Sequence, residues 1–323
     1  AEGYLQRVLE LAPMETTAHE KLLDLYEQSG ENEKLAVLLG KLADRHQSAG
    51  EMETAQGYYE RLLTLQPDDL TTREKLKDLL LDTEQNDAAI EQLFTMAGIA
   101  GDRNDQQYAI DALHEVLVLD GDNLAAHEQL RDLFLAQGDN DGAIGEIMTL
   151  AKVALDNEDV DGALAQLDQI LSIDPRHEAT RRRKISILRD HGRGADAVTE
   201  LFGVARAMER GGQLDKAEAA LNEILTIDAD SARAHEALKD LYLQSGQSEK
   251  ALGELMKLAE NAEKQGDNAT ALNYLGEICG LDRDNIDARR AIARMYLADD
   301  NVSSAVSEML AVADILADRK SVV

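Results

Sequence analysis

Cysteine occurs once in these 323 residues, proline three times and tryptophan not at all, and aromatic residues make up 3%. One cysteine excludes an internal disulfide framework and fits a reducing, cytoplasmic setting. So few prolines leave long stretches free to be helix, and no alternating β-branched run reads as a strand. No apolar run approaches the length that spans a bilayer, and no signal-peptide pattern opens the chain. Basic residues are scarce as well: 33 Lys plus Arg stand against 63 Asp plus Glu, a net charge of −30. That charge repels phosphate backbones and anionic lipid, so neither nucleic acid nor membrane is the expected partner; a basic protein segment is. The usual catalytic patterns are missing too. There is no paired His on one helix turn, no cysteine cluster, no Gly-rich phosphate loop and no nucleophile elbow. The expectation is a non-enzyme without cofactor or metal.

What the chain does contain is a period. Ala1, Ala55, Ala109, Ala163, Ala217 and Ala271 stand 54 residues apart, and so do Ala43, Ala97, Ala151, Ala205, Ala259 and Ala313. Leu11, Leu65, Leu119, Ile173, Ile227 and Leu281 keep the same step, as do Leu9, Leu63, Leu117, Leu171, Leu225 and Cys279. At that phase Cys279 reads as a small apolar core residue. A period of this length means units that bury a face only by stacking on neighbours, an architecture that serves as a surface for other macromolecules. The chain is therefore expected to be one domain, 1–323, of six units carrying −30 over six, or −5 per unit. It opens inside a unit, without Met, and shows no polar capping unit, which points to a fragment of a longer array.

Each period holds three helices. From Ser248, apolar residues at 251, 252, 255, 256, 258, 259 and 262 form the stripe of an amphipathic helix. Gln265-Gly266-Asp267 breaks it, and a second helix follows with Ala271, Leu272, Leu275 and Ile278 on one face. A third runs from about Ile286 to Leu297 and closes in sister units with Gly30, Gly138, Gly192 or Gly246. A 108-residue super-period is superimposed. Ala18-His19-Glu20, Ala126-His127-Glu128 and Ala234-His235-Glu236 alternate with Thr72-Arg73-Glu74, Thr180-Arg181-Arg182 and Ala288-Arg289-Arg290. An odd number of antiparallel helices reverses direction every period, so an equivalent setting returns only after two; duplication of a 108-residue ancestor is the other account.

This pattern resembles the tetratricopeptide repeat, a 34-residue helix–turn–helix unit. The family's small first-helix residue corresponds to Ala259, its Gly-Asp turn to Gly266-Asp267 and its second-helix alanine to Ala271. Its terminal proline corresponds to Pro13, Pro67 and Pro175, and the next hairpin repeats the scheme with Tyr242, Gly246 and Ala251. The resemblance implies an all-α solenoid of helical hairpins. It also exposes a departure, because two 34-residue repeats need 14 residues more than the 54 available. Ala251 and Ala259 lie only eight apart, so residues 248–264 are expected to be one helix shared by two repeats.

The resemblance further implies a non-catalytic scaffold that holds a protein or peptide. Positions matching its ligand-facing side are Glu20, Asp24, Glu27, Glu74, Asp78, Glu128, Asp132, Glu236 and Asp240. Like charges at i, i+4 such as Glu20 and Asp24 are easier to understand beside a basic partner, although a solvated acidic face explains them equally. One unit reverses sign, with Arg181, Arg182, Arg183, Lys184 and Arg189 forming a basic patch. It either pairs internally or offers a site for an acidic segment, including another copy of the chain. Head-to-tail self-assembly is the alternative function, and a regulatory region of an enzyme catalytic elsewhere is a third. Asn157, Asp159, Asp161, Gly162 and Asp168 mimic a calcium loop, but the register puts Gly162 inside a helix with the carboxylates at its start. His19, His127 and His235 share a phase with Arg73, Arg181 and Arg289, which asks for a long cationic side chain rather than a metal ligand. Tyr26, Phe134, Tyr242 and Tyr296 share another phase and read as core.

Overall fold

The computed structural model describes residues 1–13 and 15–321, with only the backbone of 319–321. Every element among them is a helix or a turn, and the chain divides into two units, Ala1–His177 and Glu178–Val323. The first unit holds α1 (Glu2–Leu11), α2 (Thr16–Ser29), α3 (Asn32–Ser48), α4 (Met52–Leu65), α5 (Leu70–Asp82), α6 (Asn86–Asp102), α7 (Gln106–Leu119), α8 (Leu124–Gln137), α9 (Asn140–Asp156) and α10 (Val160–Ile173). The second holds α11 (Glu178–Asp190), α12 (Gly194–Arg210), α13 (Leu214–Ile227), α14 (Ala232–Gln244), α15 (Ser248–Lys264), α16 (Asn268–Leu281), α17 (Ile286–Ala298) and α18 (Val302–Ser321). The fold is an all-α solenoid of helical hairpins with three helices to each 54-residue period.

The expected shared helix is present. Residues 248–264 form the continuous α15, with Ala251 and Ala259 both buried on it. Its 17-residue length and its boundaries recur in register in α3, α6, α9 and α12. Each of these five packs on the 14-residue helix that follows it, and these are the most extensively packed pairs in the molecule. The two alanine series meet there, Ala43 with Ala55, Ala97 with Ala109 and Ala259 with Ala271, where small side chains let the helices approach closely. Larger apolar residues such as Leu39, Leu93, Ile147 and Leu255 fill the space beside them.

Side chains also join several helices to the next but one. In the first unit Lys34 of α3 reaches Glu2 of α1 at 2.9 Å, and Lys75 of α5 reaches Asp44 of α3 at 2.6 Å. Arg61 of α4 pairs with Glu27 of α2. In the second, Arg189 of α11 meets Glu223 of α13 at 2.9 Å, and Lys239 of α14 meets Glu277 of α16 at 3.6 Å. Within each unit the chain therefore zigzags between two rows, odd helices in one and even helices in the other. Three helices per period is odd, so a given phase changes rows at every period. This alternation keeps step with the 108-residue super-period: His19 and His127 sit on even helices of the first unit and Arg73 on an odd one. In the second unit Arg181 and Arg289 are on odd helices and His235 on an even one.

Candidate functional site

The His/Arg phase is a structural clamp. His127 directs Nδ1 at Glu146 Oε2, 2.6 Å away, and Nε2 at the Gly121 carbonyl at 3.2 Å. His235 makes the same two contacts, to Glu254 at 2.6 Å and Ala229 O at 3.1 Å. Arg289 reproduces both with one guanidinium, donating from Nε to the Arg283 carbonyl at 3.0 Å and from Nη1 to Glu308 at 2.8 Å. Arg73 does so with Pro67 O and Gln92. Each clamp ties the preceding turn, six residues back, to the long helix 19 residues on. The side-chain acceptors at +19 were missed by sequence reasoning, yet the regular 19-residue spacing from a His or Arg to Gln92, Glu146, Glu200, Glu254 and Glu308 was there to be read. Leu38 breaks the series, so His19 has no carboxylate there. Burial, reinforced by the Arg45 charge, holds its imidazole below the usual value. Tyr26 and Tyr242 are buried as expected, and Phe134 and Tyr296 half-buried.

All nine carboxylates expected to face a partner are exposed, but they do not share one row: in the first unit Glu20, Asp24, Glu27, Glu128 and Asp132 stand on α2 and α8, whereas Glu74 and Asp78 stand on α5 in the other row. Several engage neighbours one row position away: Glu74 accepts from the Tyr108 hydroxyl at 2.9 Å, Glu236 from Tyr274 at 2.7 Å, and Glu27 pairs with Arg61. The bond to Glu236, with burial, pushes the Tyr274 hydroxyl up to about 12. Asp78, Asp132 and Asp240 each pair with the cation immediately before them, Lys77, Arg131 and Lys239. Glu20, Asp24 and Glu128 have no side-chain partner among the described residues. In the first unit an open groove of about 860 Å³ lies along α1, α2 and α3, lined by His19, Tyr26, Lys34, Lys41 and Arg45 among others. None of the nine carboxylates lines it.

The basic patch is largely paired within the second unit. Lys184 meets Glu200 at 2.7 Å with Arg181 at 3.8 Å from the same carboxylate, Arg182 pairs with Glu178, and Arg189 with Glu223. Arg183 is exposed. In the calcium-like stretch, Asp159 Oδ1 accepts from the Gly162 backbone N–H at 2.9 Å, which makes it the N-cap of α10. Cys279 is half-buried, and that burial pushes its thiol up, away from the reactive thiolate. No described helix is long and apolar enough to cross a membrane.

Comparison with known proteins agrees with this architecture. A tetratricopeptide repeat family model matches residues 148–209, from within α9 to within α12. The chain is a tetratricopeptide-like repeat protein. No curated protein matches it. Among solved structures it is similar to MamA, at 16% identity over 53% of this chain and 97% of that one, with a TM-score of 0.23. It is also similar to the tetratricopeptide domain of P58(IPK), at 14% identity over 92% of each chain and a TM-score of 0.20. A structure of Naa15/Naa10 bound to HypK-THB matches at 14% identity over 97% of this chain and 63% of that one, with a TM-score of 0.22. Scores this low say nothing about the site. The tetratricopeptide-like class is one of protein-binding scaffolds, generally without catalysis of their own.

Proposed function

We propose that this array is a non-catalytic, cytoplasmic scaffold that holds a basic protein segment along exposed carboxylates, among them Glu20 and Asp24 on α2 and Glu128 on α8, which share a row of the first unit. The observation that carries the reading is the exposure of these carboxylates, with Glu20, Asp24 and Glu128 unpartnered among the described residues. A Lys/Arg-rich segment would neutralise like charges that the fold otherwise holds in register at a cost. The basic patch supports this direction, since four of its five cations already meet carboxylates of their own unit.

The test is fluorescence anisotropy with a labelled Lys/Arg-rich peptide and a neutral peptide of equal length. At low salt the basic peptide should bind, and Glu20→Gln/Asp24→Asn/Glu128→Gln should weaken it by roughly tenfold, the difference shrinking as salt is raised. Equal binding of both peptides, or an unchanged affinity in the triple variant, would overturn the reading.

A further inference from the structure

The first and fifth periods build the same helix triplet with the same side chains. Glu2, Tyr26 and Lys34 on α1, α2 and α3 recur four periods on as Glu218, Tyr242 and Lys250 on α13, α14 and α15. Their bonds recur as well: the tyrosine hydroxyl donates to the glutamate at 2.9 Å in both triplets, and the lysine reaches it at 2.9 and 3.0 Å. So α1 sits on α2 and α3 as α13, with a further helix before it, sits on α14 and α15.

One position inside the triplet changes chemistry. In the fifth period the buried carboxylate of Glu254 lies between two nitrogen groups, His235 Nδ1 at 2.6 Å and Lys257 Nζ at 3.0 Å. The first period keeps both of these partners, as His19 and Lys41, and puts Leu38 in place of the carboxylate. It also places Arg45 where the fifth has Asn261, and that guanidinium donates to the Pro13 carbonyl. His19, Leu38, Lys41 and Arg45 all line the open groove of about 860 Å³. The carboxylates of the groove are committed elsewhere or stand apart. Glu2 binds Tyr26 and Lys34, Glu10 pairs with Arg7, and Glu33 lies eight residues, about 12 Å, along α3 from Lys41. Lys41 is exposed with no side-chain partner among the described residues, and His19 is 8% exposed. The walls beside them are apolar: Leu9 and Leu38 are half-buried and Val37 is 59% exposed.

We propose that this groove receives a side-chain carboxylate of a partner protein, presented on an acidic and apolar segment. Lys41 and Arg45 donate to the carboxylate with His19 beside it, and Leu9, Val37 and Leu38 cover the apolar residues that flank it. The guest supplies from outside the charge that Glu254 supplies from within the chain, through charge-assisted hydrogen bonds of the same kind. A groove of this volume suits a short peptide rather than a lone anion. The site is separate from the carboxylates proposed above to hold a basic segment, none of which lines it.

Fluorescence anisotropy on the 323-residue chain tests the proposal. The probe is a dye-labelled peptide of alanine and leucine with one central glutamate, amidated so that this side chain is its only carboxylate; a twin carries glutamine instead. The glutamate peptide should bind, and the twin should bind about tenfold more weakly, the scale of one charge-assisted hydrogen bond. Lys41→Gln should cost a similar factor. Leu38→Glu should abolish binding by providing the carboxylate internally, with a thermal melt at or above that of wild type. Lys21→Gln makes the same change of charge on α2 outside the groove and should leave the affinity within about twofold. Absence of binding, equal affinity for the two peptides, unchanged affinity in Lys41→Gln or Leu38→Glu, or an equal loss in Lys21→Gln would each overturn the proposal. Displacement of the peptide by acetate at the peptide's own concentration would make the occupant a small anion and likewise overturn it.

Discussion

At position 235 a buried imidazole uses both ring nitrogens, one on the Glu254 carboxylate and one on the Ala229 carbonyl. Both partners are oxygen acceptors, and Arg289 makes the equivalent contacts one period later. His235→Ala should therefore lower stability by about 2 kcal/mol, the scale of a charged hydrogen bond lost with one partner left buried. His235→Arg should recover most of it, because the guanidinium spans the same two acceptors elsewhere in the array. Urea midpoints of the three proteins check this; an Arg variant no better than Ala would show that the ring is held by shape. The interchange of His and Arg was legible in the sequence. Their carboxylate partner was not, because it sits on another helix and only packing brings it within reach.

The turns between helices show a similar division. Four of the six periods carry glycine at position 30, Gly30, Gly138, Gly192 and Gly246, all with left-handed backbone, and this reads directly from the glycines. Glu84 and Asp300 occupy the same phase and take the same conformation, with φ of 59° and 57°. The turn closes identically in both cases: Gln85 N–H donates to Leu80 O at 2.8 Å as Glu31 N–H donates to Tyr26 O at 3.1 Å. The flanking helices impose the bend, and a side chain there bears the steric cost. Glu84→Gly should raise stability by about 0.5–1 kcal/mol, the left-handed penalty less the greater freedom of glycine in the unfolded chain. A thermal melt that shifts down would mean that Glu84 earns its place through contacts of its side chain.

For the molecule as a whole, the balance lies between a net charge of −30 and the ion pairs linking neighbouring helices. Most of those pairs are solvent-exposed on at least one side, and exposed pairs contribute about 0–1 kcal/mol each. Repulsion over −5 per unit acts on every repeat and reaches roughly 30 Å near 0.01 M salt. The melting temperature should accordingly rise when about 0.15 M salt is added. A flat or falling response, followed by circular dichroism at fixed protein concentration, would show that the cross-row pairs dominate.

Helix lengths, the 54-residue step and the buried alanine series were determined by the sequence alone, because helical periodicity and small-residue spacing are local properties that repeat along one dimension. The shared helix of residues 248–264 followed from arithmetic on two alanines only eight residues apart. The division into two rows, the clamps across 19 residues and the ion pairs across 31 to 38 residues were decided by the tertiary structure. No local pattern fixes which carboxylate meets which cation when acids outnumber bases about two to one. That choice depends on the angle and distance at which neighbouring helices pack, and the packing of apolar side chains beneath them sets both.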